Sequence, residues 1–152
     1  MNPAQIELVQ ASFRKVVPIA EQAASLFYGR LFALDPALRS LFSNDTIEQG
    51  QKLMTTLRLV VDKLHQPEEI LGAVQSLGRR HSAYGVVEKD YDTVGLALLW
   101  ALDKGLGVDF STAVREAWAA AYGLLAGVML DAAGPMVGGH SLRGGAESAV
   151  VC

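Results

Sequence analysis

Residues 70–81 read ILGAVQSLGRRH, and their spacing decides the fold class. Ile70, Val74, Leu77 and His81 fall at i, i+4, i+7 and i+11, so they share one face of a helix and not an alternating strand. The stripe ends on an imidazole, and burying its polar nitrogens unsatisfied costs about 1–3 kcal/mol. Two readings fit such a residue. One is a core histidine bonded to a nearby carbonyl; the other is a metal ligand using one ring nitrogen while the other donates to an acceptor.

The same periodicity extends outward on both sides. Asn2-Pro3 supplies a cap and a first-turn proline for a helix burying Ile6, Val9, Phe13 and Val16. A second helix is predicted from about Pro18 to Leu34, with Ala24, Phe27, Tyr28, Leu31 and Leu34 on one side, and Asp35-Pro36 breaks it before the short piece PALRSLF. Asp45 and Glu48 stand three apart, as in a capping box, before a helix carrying Gln49, Leu53, Leu57, Val60 and Leu64. Pro67-Glu68-Glu69 opens the helix of the opening stretch, acidic where the macrodipole favours acid. Asp90 is expected to cap the next, which weakens at Gly105-Leu106-Gly107, and Asp109 or Ser111 starts the last, with Val114, Trp118, Leu125 and Met129 inward. Seven helical segments of unequal length and no strand pattern predict an all-α, orthogonal fold over residues 1–133. Residues 134–152, GPMVGGHSLRGGAESAVVC, carry five Gly and read as a mobile tail in which His140 is solvated.

Composition narrows the function classes. The chain has 152 residues and a net charge of −3, which argues against a nucleic-acid surface. With 51% hydrophobic and 19% charged residues it has the profile of a well-buried domain. The longest charge-free run, Ala117 to Leu130, has fourteen residues, short of the roughly 20 a membrane span needs. Cys152 is the only cysteine, so no intrachain disulfide forms, and MNPAQIELVQ carries no secretion signal; a cytoplasmic location is the expectation.

Two further polar residues interrupt apolar faces. Gln49 lies one turn before Leu53 on the inward side, and Tyr28 lies between Ala24 and Leu31. Each alone is an ordinary buried amide or an aromatic with its hydroxyl at the surface. No Cys or Asp/Glu cluster accompanies His81, which argues against a zinc site, and His65 sits near a helix end where exposure is ordinary. One histidine is too few for a bare metal ion but sufficient for haem iron, whose porphyrin supplies four nitrogens.

Five ordered stretches carry a family likeness: LFYGRLFALDPALRSLF (26–42), EQGQKLMTTL (48–57), GRRHSAYGVV (78–87), DYDTVGLALL (90–99) and EAWAAAYGLLAGVM (116–129). Together they resemble the bacterial single-domain haemoglobins related to the haem domain of flavohaemoglobins. The resemblance implies a globin fold with haem b held by His81 as the metal ligand. Phe42, Leu53, Leu57 and Tyr91 are then cofactor-binding residues, and Tyr28 and Gln49 are the distal pair that donates to bound dioxygen. A hydrogen bond to a charged acceptor contributes about 1.5–3 kcal/mol, roughly ten- to a hundredfold in affinity. With no distal histidine, no strong internal sixth ligand is implied. Arg79 and Arg80, beside the proximal ligand, read as a solvated pair.

Two departures qualify the likeness. Aligning on Trp118 and Tyr122 puts Ala133 where the flavohaemoglobin family has a glutamate that joins the proximal histidine and a tyrosine. Asp131 is the nearest acid, but two residues are about 200° of helix away, so vigorous peroxidase-like chemistry is not implied. No dinucleotide fingerprint follows the globin portion, so nitric oxide dioxygenation would draw on a separate reductase. A dioxygen carrier and a nitric oxide dioxygenase need the same pocket; the alternative is a haem-based gas or redox sensor acting through a partner protein. A monomer and a homodimer both fit.

Overall fold

The computed structural model describes residues 1–42 and 45–134. The Gly-rich segment beyond Gly134, with His140 and Cys152, lies outside the described residues. Six α-helices succeed one another: α1 (Pro3–Val16), α2 (Ala20–Leu34), α3 (Thr46–Asp62), α4 (Leu71–Ala83), α5 (Glu88–Leu106) and α6 (Thr112–Ala133). The short PALRSL piece is a 3-10 turn, as is Pro67–Glu69, so α4 begins at Leu71 rather than at the proline.

The helix ends follow local chemistry. Asn2 accepts from the Gln5 backbone N–H at 2.8 Å while Gln5 Oε1 accepts from the Asn2 N–H, a reciprocal cap ahead of Pro3. Asp45 Oδ1 accepts from the Glu48 N–H at 3.0 Å, and the Glu48 carboxylate pairs with Lys52 one turn on. Asp90 differs from the expectation. Val87 is the first flanking residue of α5, and Asp90, inside the first turn, reaches back to its N–H at 3.0 Å. The carboxylate is therefore buried at the positive end of the helix dipole instead of preceding it. Gly107, at φ +59°, ends α5 in a conformation that penalises a Cβ.

Packing then orders the helices. The charge-free stretch of α6 supplies Ala117 and Trp118 to the core, and the Trp118 Nε1–H donates to Ser12 Oγ at 2.8 Å, tying α6 to α1. Gln10 Nε2 donates to the Val61 carbonyl and ties α1 to α3. Leu31 of α2 is fully buried, whereas Leu34, expected on the same face, is 40% exposed because α2 ends there. α4 meets α6 at Gly78, where an added Cβ would overlap the backbone of Met129. That close approach sets the position of His81, three residues further along α4.

Candidate functional site

α4 carries His81 to the edge of a cavity of about 100 Å3 enclosed by α2 to α6 and the PALRSL turn. Its lining is almost wholly apolar; Phe42, Leu53, Leu57, Leu77 and Val94 are among the residues that face it. The imidazole is 8% exposed, and its Nδ1 lies 2.8 Å from the Leu77 carbonyl one turn back. A carbonyl only accepts, so the proton of the neutral ring sits on Nδ1 and Nε2 keeps its lone pair. Burial pushes the ring's pKa down to about 4, with the Leu77 carbonyl opposing and the neighbouring Arg80 adding to the shift. At neutral pH no proton competes for Nε2. Arg79 and Arg80 themselves are exposed, as is His65.

Tyr91 of α5 lies across from this ring, with centroids 6.4 Å apart and planes 30° from parallel. Its hydroxyl is buried and has no hydrogen-bond partner among the described residues. Desolvation raises its pKa to about 12, with the Asp90 carboxylate adding to the effect. The Tyr91 backbone is held from α6, where the Tyr122 hydroxyl donates to its carbonyl at 2.6 Å. Gly95 makes room for that contact, since a Cβ there would lie 2.9 Å from the Tyr122 ring. Asp131 is exposed on α6 and takes no part in the cavity, and Ala133 supplies no acid.

The structure brings five of the residues singled out in the sequence to one space: Phe42, Leu53, Leu57, His81 and Tyr91. Tyr28 and Gln49 are buried together but stand behind the lining rather than in it. The Tyr28 hydroxyl donates to the Gln49 backbone carbonyl at 3.3 Å, and its ring meets Phe27 at 4.9 Å and Phe42 at 5.4 Å, both of which do face the cavity. Sequence reasoning did not single out Leu38, Val86, Leu98 or Met129 as lining residues. Their spacing marks them as core and nothing in it separates core from cavity wall. The glycine at 78 in mid-helix was the available signal for the close α4–α6 approach.

The residues fit a haem by donor chemistry. One neutral imidazole with a free lone pair faces an apolar space that holds no competing ligand cluster; no group of three or more His, Cys, Asp or Glu gathers anywhere among the described residues. Small-molecule sites commonly measure about 300–1,000 Å3, so a tetrapyrrole requires the walls of this space to part.

Comparison with known proteins agrees in kind. The globin family model matches residues 25–129. The chain is 34% identical to neuroglobin of Danio rerio over 121 residues, 68% of this chain and 74% of that protein. It is 29% identical to a flavohemoprotein of Deinococcus radiodurans over 133 residues, 86% of this chain but 33% of that protein, so it spans about a third of that relative's length. A bacterial globin structure from Campylobacter jejuni superposes with a TM-score of 0.78 at 24% identity, covering 87% of this chain and 96% of the other, a likeness of fold. No helix among the described residues is long and apolar enough to cross a membrane.

Proposed function

Because the chain belongs to the globin family, we propose that it holds haem b through His81 and binds dioxygen reversibly. When bound, the haem supplies a ferrous centre that takes up small diatomic gases. The observation that carries the reading is the contact of His81 Nδ1 with the Leu77 carbonyl at 2.8 Å. The imidazole's Nδ1–H is committed to Leu77, which orients the ring and leaves Nε2 as the ligand atom inside an apolar wall. Phe42, Leu53 and Leu57 make that wall apolar, and they would keep water from a ferrous haem held there. Tyr28 and Gln49 are the donors assigned to bound dioxygen. The Tyr28 hydroxyl, which donates to the Gln49 backbone carbonyl at 3.3 Å, would have to turn toward the cavity to serve in this way.

The activity assigned to this arrangement is nitric oxide dioxygenation. Nitric oxide, dioxygen and one electron give nitrate, the electron coming from a separate reductase. The carrier reading is favoured by one feature: His81 Nδ1 faces a neutral carbonyl, and the acid that would make the imidazole a stronger electron donor is absent, with Ala133 at its position and Asp131 exposed.

Absorption spectra of the haem-loaded ferrous protein before and after oxygen test the first part. A Soret band that shifts reversibly is expected, and His81→Ala should abolish it. Stopped-flow mixing of the oxygenated protein with excess nitric oxide and a reductase tests the second. Sustained nitrate production is expected; consumption that stops at one equivalent identifies the carrier.

A further inference from the structure

Beside the inner cavity, between α3 and α6, lies a second and smaller apolar space of about 20 Å3. Two facing stripes build it. α3 presents Leu57, Val60 and Val61 at i, i+3 and i+4, and α6 presents Trp118, Ala121 and Leu125 at i, i+3 and i+7. Ala121 is the small member of its stripe, and a larger side chain there would fill the space.

The two spaces share a wall. Leu57 of α3, Leu98 of α5, and Tyr122 and Leu125 of α6 line both, so these side chains form the partition. Tyr122 is pinned, its hydroxyl donating to the Tyr91 carbonyl at 2.6 Å. Leu57 and Leu125 are half-buried and aliphatic, and they change rotamer with no hydrogen bond to lose. The smaller space is unsuited to water, because a buried water needs about two to four polar partners. The Trp118 Nε1–H is committed to Ser12 Oγ at 2.8 Å and the Tyr122 hydroxyl to Tyr91, and every other wall residue is aliphatic. Apolar voids of this kind stay dry and take up uncharged guests. One water-sized molecule requires about 10–15 Å3, so there is room for a single small guest.

We propose that the space between α3 and α6 is a docking site for one uncharged diatomic gas, where ligand waits before binding the haem or after leaving it. The inference rests on the proposed function, since the inner cavity must hold the haem. The ligand class follows from the walls: nothing there bonds a polar or charged guest, and the volume excludes anything much larger than a diatomic. A released ligand that docks here stays inside the protein. A share of rebinding then starts from this site and is independent of the gas concentration in solvent.

Xenon, which is apolar and does not ligate haem iron, is the probe. In crystals of the haem-loaded protein under xenon pressure, an atom in contact with Leu57 and Leu125 is expected; no xenon in this space would overturn the proposal. Flash photolysis of the ferrous carbon monoxide complex reads the same site in solution. A slow rebinding phase independent of carbon monoxide concentration is expected. Xenon at its half-saturating pressure should halve the amplitude of that phase, because one site cannot hold both gases. Ala121→Leu and Val60→Phe fill the space from opposite helices, and each should remove both the phase and its response to xenon. An unchanged wild-type trace under xenon, or a response that persists in both filled variants with normal Soret bands, would overturn the docking site while leaving the haem assignment intact. A wild-type chain that takes up no haem would overturn both.

Discussion

Replacing Gly78 by alanine puts a methyl group onto the backbone of α6. The added Cβ would lie 2.6 Å from the Met129 Cα and 2.8 Å from its carbonyl carbon, against an ordinary carbon–carbon contact of about 3.5–4.0 Å. The obstructing atoms are main chain, so no rotamer change relieves the overlap, and α4 must withdraw from α6 by about 1 Å. Overpacking of this kind costs about 1–3 kcal/mol, with the upper part of the range expected where neither side yields. Alanine in mid-helix returns about 1 kcal/mol over glycine. The clash wins, and the net expectation is a loss of about 2 kcal/mol. Gly123, in mid-helix of α6, provides the internal control, since a Cβ there meets nothing within 4 Å. Gly123→Ala should therefore stabilise by about 0.5–1 kcal/mol. Urea unfolding of the two variants beside wild type measures both, and the separation between them is the quantity of interest. Because His81 follows on the same helix, Gly78→Ala should also weaken haem retention, read as faster transfer of haem to an acceptor protein. Gly78→Ala at or above wild-type stability would refute the argument that this contact sets the α4–α6 distance.

Three other outcomes are expected. In the haem-free chain His81 titrates near pH 4 when folded against about 6.5 when unfolded, so the unfolded state alone binds the proton between these values. Stability falls as pH drops through that window, by about 3 kcal/mol in all, is unaffected by this group above pH 6.5 and falls no further from it below about pH 4. His81→Leu should remove that part of the dependence, and parallel pH–stability curves for the two proteins would contradict the assignment. Tyr91→Phe deletes a buried hydroxyl that has no hydrogen-bond partner among the described residues, so in chemical denaturation it should be neutral or stabilise by up to about 1 kcal/mol. Ser12→Ala strips the buried Trp118 N–H of its acceptor, and a loss of about 1–3 kcal/mol in the same measurement is expected.

Much of the fold was legible because helix capping and amphipathic spacing are local. Asn2, Asp45 and Ser111 terminate helices through bonds to residues three positions away, and the stripe ending at His81 needed no knowledge of what lies opposite. Asp90 was misplaced by one role for the same reason: a capping acid before a helix and one in its first turn look alike in sequence, and only the backbone conformation at Val87 distinguishes them. The grouping of Phe42, Leu53, Leu57, His81 and Tyr91 around one cavity is a different kind of fact. Periodicity alone does not group them, because it relates only residues within one helix.

By itself, then, the order of residues determined that this chain is all-helical, where most helices begin, and that an imidazole ends an apolar stripe, since each depends on neighbours within a turn or two. Tertiary packing alone decided that His81 meets an apolar space walled by four other helices, that Tyr28 bonds to the Gln49 carbonyl behind that wall, and that Gly78 lies against Met129. These depend on distances between helices far apart in sequence, and such distances arise only when volumes from several elements must fill the same space.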